Sequence, residues 1–239
     1  MIKAIIFDLD HTLFDRHATL RAIAPQFRKF FHVSEDITDD EIADMWIYAD
    51  DRYVYDGWEY IFAYLKENGV FVTPPKYDDY RSFVFNTFSK TAVRFDFTLP
   101  MLKGLKKDGY KVALITNGRH ELQYKKLVLT GMRYIFDEII VSGDVGVEKP
   151  DREIFMMMCE KLGVKPCECV YVGDNPFNDI GGAKRAGMYT FHIKTVYKNP
   201  KAPVADAEIA TVGEVPQALT ALKAKIEAGL PDLPENACK

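Results

Sequence analysis

The sequence predicts an α/β chain, a doubly wound parallel sheet with an α-helical domain inserted after its first strand. Three observations predict it. After about residue 97, short apolar runs alternate with segments of helical spacing, the pattern of strands wound on both faces by helices. Before that, the stretch from Ala18 to Phe95 has apolar residues at helical spacing and no buried strand. The first apolar run, Ile5-Ile6-Phe7, passes directly into Asp8-Leu9-Asp10.

Ile5, Ile6 and Phe7 read as a short strand buried on both faces, as in parallel sheets. Asp8 and Asp10 then fall at its carboxyl end. In open α/β sheets the ligand crevice lies outside the carboxyl ends of the strands, so acids there are placed to hold a cation or act on a substrate. Alone, an Asp-x-Asp is equally an ordinary turn or helix cap. The stretch that follows reads as about four helices, with Trp46 and Tyr53, then Ile61, Tyr64 and Leu65, at helical spacing. Breaks are expected at Val33-Ser34, Asp56-Gly57 and Thr73-Pro74-Pro75. Eighteen of the chain's thirty-one aromatic residues, both tryptophans included, lie between residues 18 and 95, enough for a core of its own. The expected division is therefore residues 17–95 as the inserted domain and residues 1–16 with 96–239 as the α/β domain.

Further strands are expected at Val112–Ile115, Glu138–Val141, Cys169–Val172, Thr190–Ile193 and Glu208–Ala210. Ile154, Met158 and Leu162 mark one intervening helix and Ala183, Ala186 and Gly187 another. Right-handed crossovers follow from parallel winding. The tail from Gly229, with Pro231 and Pro234, reads as frayed.

Three further sites carry polar groups. Val112–Ile115 ends in Thr116-Asn117-Gly118, which presents a hydroxyl and a permissive backbone, although Asn-Gly is also a common turn. Gly146-Val147-Glu148-Lys149-Pro150-Asp151 puts a lysine just before a helix expected to begin with proline; in isolation such a lysine is a solvated surface charge. Val170-Tyr171-Val172 runs into Gly173-Asp174, with Asp179 five residues on. Asp179 alone would pass as a helix cap, whereas Asp174 has no such role.

Composition narrows the partners. With 239 residues and a formal net charge of -4, nothing favours nucleic acid or an anionic membrane as partner. No apolar stretch is long enough to span a bilayer, and the amino terminus lacks the form of a signal peptide, so a cytoplasmic protein is expected. Cys159, Cys167, Cys169 and Cys238 lack the paired spacing of a zinc site. Cys167 and Cys169, beside an apolar run, read as buried, reduced strand thiols.

Taken in order, Asp8-Leu9-Asp10-His11-Thr12, Thr116, Lys149 and Gly173-Asp174 with Asp179 resemble the four motifs of the haloacid dehalogenase superfamily, whose members are mostly phosphatases. The resemblance covers nearly the whole chain and implies a Rossmann-like core. The helical stretch matches the position of the superfamily's α-helical cap, which covers the active site. The carboxyl half looks most like the branch containing phosphoglycolate phosphatases, pyrimidine nucleotidases and acylneuraminate phosphatases.

The chemistry expected of these residues is hydrolysis of a small phosphate monoester. Phosphate oxygens repel a nucleophile, so a catalyst needs a cation, a positioned nucleophile and a proton donor for the departing alcohol. Asp8 can attack phosphorus in line to give an aspartyl phosphate. Asp10 can protonate the leaving alcohol and then take a proton from the attacking water. Magnesium prefers hard oxygen ligands, and Asp8 with Asp174 supplies two carboxylates. The resemblance implies that the backbone carbonyl of Asp10 completes the protein's share. Asp179 is expected to hold a water on the metal or to orient Lys149. Thr116, Asn117 and Lys149 are expected to bind the phosphoryl group. Asp10 separates this reading from dehalogenation: halide departs without a proton, and the superfamily's dehalogenases generally lack an acid at that position and use no magnesium. A phosphomutase, which retains both acids, and a 2-haloacid dehalogenase of the same superfamily stand as alternatives, ahead of a binding protein that has kept the fold without the activity. Arg16, His17, Arg52, Tyr53, Tyr55 and Trp58 are candidates for choosing the substrate or, equally, for packing the cap.

Overall fold

The computed structural model describes residues 1–54, 56–194, 201 and 203–229. Tyr55, and the expected fraying of the tail at Pro231 and Pro234, lie outside the described residues. The chain divides into two compact units. One holds Met1–Phe14, Arg94–Lys194 and the described residues after 200; the other holds Asp15–Val93.

The first unit is built on a six-stranded sheet of β1 (Ala4–Phe7), β2 (Lys111–Thr116), β3 (Glu138–Val141), β4 (Cys169–Gly173), β5 (Tyr189–Ile193) and β6 (Ala207–Ile209). The order is β3-β2-β1-β4-β5-β6 and every pairing is parallel. All residues of β1 and β4 are buried, as central strands covered on both faces require. On one face Ile6, Ala113, Ile115 and Tyr171 pack with Ile154, Phe155 and Met158 of the helix α8 (Arg152–Leu162). In register, Ile5 pairs with Val112 on one side and Val170 on the other. From β1 the chain winds outward through β2 and β3, then returns to β4 and winds the other way. The reversal lies between β1 and β4, so the ligand crevice of this sheet is expected outside their carboxyl ends.

The helix expected to start at Pro150 starts later. Asp151 is the residue before its first turn and Arg152 its first residue, while the Lys149–Pro150 peptide is cis. After β4 the chain enters a π-helical turn, Pro176–Gly181, that leads into α9 (Gly182–Ala186). The Asn175 side chain accepts from the Phe177 and Asn178 amides at 3.0 and 2.9 Å, satisfying donors that would otherwise be orphaned. Cys169 is buried and, with Cys159, a free thiol. Cys167 departs from expectation: it sits half-buried in a single 3₁₀ turn before β4, outside the strand.

The second unit contains α1 (Arg16–Phe30), α2 (Asp39–Tyr53), α3 (Trp58–Glu67) and α4 (Tyr77–Thr91), broken where the turn residues predicted. The Asp15 carboxylate accepts from the Ala18 amide at 2.8 Å to start α1, and Thr38 with Glu41 forms a reciprocal capping box on α2. The aromatic residues make the core. Phe27, fully buried, has the rings of Phe31, Trp46, Phe71, Phe83 and Tyr80 at centroid distances of 4.8 to 6.3 Å.

Candidate active site

The end of β1 delivers Asp8 into the crevice. Its amide donates to the Val172 carbonyl at 2.9 Å, prolonging the β1–β4 ladder by one residue and fixing where the side chain emerges. The chain then turns back on itself, with the Leu13 amide donating to the Leu9 carbonyl at 3.0 Å and His11 in the left-handed region at φ 61°. That conformation is uncommon for a residue with a Cβ and marks a tight loop held by its surroundings.

From β4 come Asp174 and Asp179, both buried. Glycine is required at position 173, because a Cβ there would lie 2.5 Å from the Asp179 carboxyl carbon. Ligand oxygens of Asp8, Asp174 and Asp179 lie within 4.8 Å of one another. The hydroxyl of buried Thr12 reaches the Asp174 carboxylate at 3.4 Å.

Lys149 enters this acidic group from the loop before α8. The Asn117 side chain clamps its backbone twice, accepting from the Lys149 amide and donating to the Lys149 carbonyl, each at 2.9 Å. Asn117 therefore offers a substrate its backbone rather than its side chain. The Lys149 ammonium, whose side chain is 4% exposed, donates to Asp8 at 2.5 Å, Asp179 at 2.6 Å and the Tyr171 hydroxyl at 3.1 Å. Tyr171 donates in turn to the Ile115 carbonyl at 3.2 Å. Burial alone would drive Lys149 toward neutrality, but Asp179 and Asp8 outweigh it and hold the ammonium well above the usual lysine range. Both Asp179 oxygens are engaged, one on Lys149 and the other accepting from the Asn175 amide at 3.0 Å.

Asp8 shows what the group lacks. Burial pushes its carboxyl up to about 7, against the pull of Lys149 and with Asp179 and Asp10 adding to the rise. Asp8 and Asp179 share the Lys149 ammonium, and Asp174 lies beside them, so three buried carboxylates meet in one place. Asp8, Asp174 and Asp179 together offer the hard oxygen donors that a divalent cation takes.

Asp10 faces elsewhere. Its carboxylate lies outside the buried trio and is 31% exposed. It is held by Lys126 at 2.6 and 2.8 Å and by the Gln123 amide at 3.0 Å. The same Gln123 nitrogen, with two hydrogens to share, also lies 2.6 Å from the Thr116 hydroxyl and 2.9 Å from the Asn117 carbonyl, which ties the ends of β1 and β2 together. Gln123, Lys126 and Tyr171 were not among the residues expected here. The signal for Gln123 was available: it falls three and four residues before Lys126 and Leu127 on α6 (His120–Leu129), a polar residue in the buried stripe of a helix.

The remaining candidates lie in the helical unit. Arg16 forms a two-pronged ion pair with buried Asp50 at 2.5 and 2.6 Å, and its guanidinium rests 4.6 Å from the Phe88 ring centre and 5.6 Å from that of Trp58. Trp58 stacks on Phe85, Arg52 covers Tyr48, Tyr53 neighbours Tyr60, and His17 pairs with Asp51 at 2.8 Å.

The chain is similar to known proteins. A family model described as haloacid dehalogenase-like hydrolase matches residues 5–193. The glyceraldehyde 3-phosphate phosphatase of Methanopyrus kandleri is 44% identical over 96 residues, 40% of this chain and 41% of that protein. Its counterpart from Pyrococcus furiosus is 30% identical over 199 residues, 81% of each chain. A solved HAD phosphatase from Thermococcus onnurineus superposes with a TM-score of 0.60 at 29% identity, covering 91% of this chain and 98% of that one. The chain spans between 33% and 42% of the length of the first three curated relatives it matches.

Proposed function

The chain belongs to the haloacid dehalogenase-like hydrolases, and on that premise we propose that it is a magnesium-dependent phosphatase of a small phosphorylated metabolite. The observation that carries this reading is the contrast between two acids of one turn. Asp8 is buried against Lys149 beside two further carboxylates, whereas Asp10 is part-exposed and anchored separately by Lys126. Two carboxylates in different surroundings suit two different tasks.

Asp8 is the nucleophile. Its oxygen bonds to phosphorus as the bond to the leaving oxygen breaks, giving an aspartyl phosphate. Asp10 gives a proton to the departing alkoxide, then takes one from the water that attacks phosphorus and frees Asp8. Lys149, held in place by Asp179, Tyr171 and the Asn117 clamp, offsets the charge of Asp8 and of the phosphoryl oxygens. Thr116 and the Asn117 backbone complete the phosphoryl cradle. Asp8, Asp174 and the Asp10 carbonyl would hold magnesium, which when bound withdraws charge from the phosphoryl oxygens. These groups recognise little beyond phosphate.

Relatives named glyceraldehyde 3-phosphate phosphatase and phosphoserine phosphatase support a small phosphorylated metabolite as the substrate class. Among the described residues no helix is long and apolar enough to cross a membrane. The free thiols of Cys159 and Cys169 agree with a cytoplasmic setting. The test is release of inorganic phosphate from p-nitrophenyl phosphate. Turnover should need magnesium, vanish on chelation and return on readdition. Full activity in metal-free buffer, or halide release from a haloacid with no phosphatase activity, would overturn the reading.

A further inference from the structure

Lys126 and Gln123 have no task in the reaction as described, yet both are drawn out of solvent to meet Asp10. The Lys126 side chain is 11% exposed and the Gln123 residue 2%. Surface lysines keep the ammonium in water and hold no fixed geometry. Here Lys126 reaches both oxygens of one carboxylate, at 2.6 and 2.8 Å, while Gln123 takes one of them at 3.0 Å. Lysine and glutamine stand three residues apart on α6, so a single helix face carries both. Three donor contacts to two oxygens fix the plane of the carboxylate as well as its position. The Gln123 bond to Thr116 ties that plane to the expected phosphoryl cradle.

We infer that Lys126 and Gln123 are positioning residues for Asp10, aiming its carboxyl at the leaving-group oxygen. The inference rests on the proposed phosphatase activity, since it assigns Asp10 the proton transfer. In the first step the Asp8–phosphorus bond forms, the bond from phosphorus to the leaving oxygen breaks, and the Asp10 proton passes to that oxygen. In the second, water bonds to phosphorus, the Asp8–phosphorus bond breaks, and the proton of the water returns to Asp10. Misaiming Asp10 therefore matters in proportion to how badly the leaving group needs a proton. An alkoxide needs one, whereas p-nitrophenolate departs without it.

The test compares glycerol phosphate with p-nitrophenyl phosphate in the wild type, Lys126→Met and Lys126→Arg, under magnesium, by steady-state and single-turnover kinetics. Lys126→Met should lower kcat on glycerol phosphate about 10- to 100-fold, with KM changed by less than about 3-fold. Single-turnover release of nitrophenolate should change by less than about 3-fold, because that departure makes no use of Asp10. Lys126→Arg, which keeps a cation able to grip both oxygens, should recover most of the loss. In an Asp10→Asn background, Lys126→Met should cost nothing further on glycerol phosphate. Equal losses on both substrates, a rise in KM at constant kcat, or full additivity with Asp10→Asn would overturn the positioning role while leaving the phosphatase reading intact. A wild type that releases no phosphate from either substrate would overturn that reading and this inference with it.

Discussion

Replacing Lys149 by Met leaves Asp8 and Asp179 facing each other in a buried pocket without their shared cation. The ammonium lies 2.5 Å from one and 2.6 Å from the other. At an effective dielectric near 20, each contact is a gross attraction of about 6 kcal/mol. Most of that is offset by the desolvation of three ionised groups, so the gross figures overstate the loss. Removing one partner from a buried pair typically costs about 3–5 kcal/mol, because the survivor keeps its desolvation cost without compensation. For a chain of this length, that is about 6–20 °C in thermal midpoint. Scanning calorimetry of both proteins in chelator should show the drop. Magnesium should then raise the midpoint of Lys149→Met by more than that of the wild type, since a cation that binds only the folded state restores the missing charge. Adding Asp179→Asn should also recover part of the loss by removing one of the stranded acids. A midpoint for Lys149→Met within about 2 °C of the wild type in chelator would refute the lysine as the counter-charge of this group.

Two further outcomes are expected. The Asp51 hydrogen bond raises the His17 imidazole above its ordinary value, with partial burial opposing and the Asp51 charge adding. The pair therefore contributes its stability fully below the unfolded value of about 6.5 and loses it as pH rises through the folded one. NMR titration should place His17 above that value and Asp51→Asn should bring it down; identical curves would exclude the pairing. Gly173→Ala sets a Cβ 2.5 Å from the Asp179 carboxyl carbon, so it should cost about 1–3 kcal/mol and displace Asp179 from Lys149. Calorimetry and phosphate release would both register it, and an unchanged enzyme would show that Asp179 has room to move.

The sheet was legible because its central strands are buried on both faces and its strands carry short apolar runs. Ala4–Phe7, Glu138–Val141 and Cys169–Gly173 lie where those runs stand in the sequence. The acids that follow were legible for the same reason, since an Asp immediately after such a run has few structural uses. Helix starts were less so. Pro150 suggested a first turn, but the chain uses it two residues before the helix, where Lys149 must point inward instead. Least legible were the residues that orient others. Nothing in a single sequence distinguishes Lys126 from the adjacent Lys125, because the difference is made by which helix face meets Asp10 across more than a hundred residues of chain. Tyr171 read simply as part of an apolar strand, and only the fold brings its hydroxyl beside Lys149. Asn117 had the look of a turn residue, yet its side chain holds the loop that carries the lysine.

The account stands on Asp8 becoming covalently bonded to phosphorus. Acid quenching of the protein during turnover of a ³²P-labelled phosphate monoester in magnesium, followed by peptide mapping, would capture that species. The label should map to the peptide containing Asp8, disappear on a chase with unlabelled substrate, and be absent from Asp8→Asn. Phosphate released at the wild-type rate by Asp8→Asn, or turnover with no label on that peptide at any time, would contradict it.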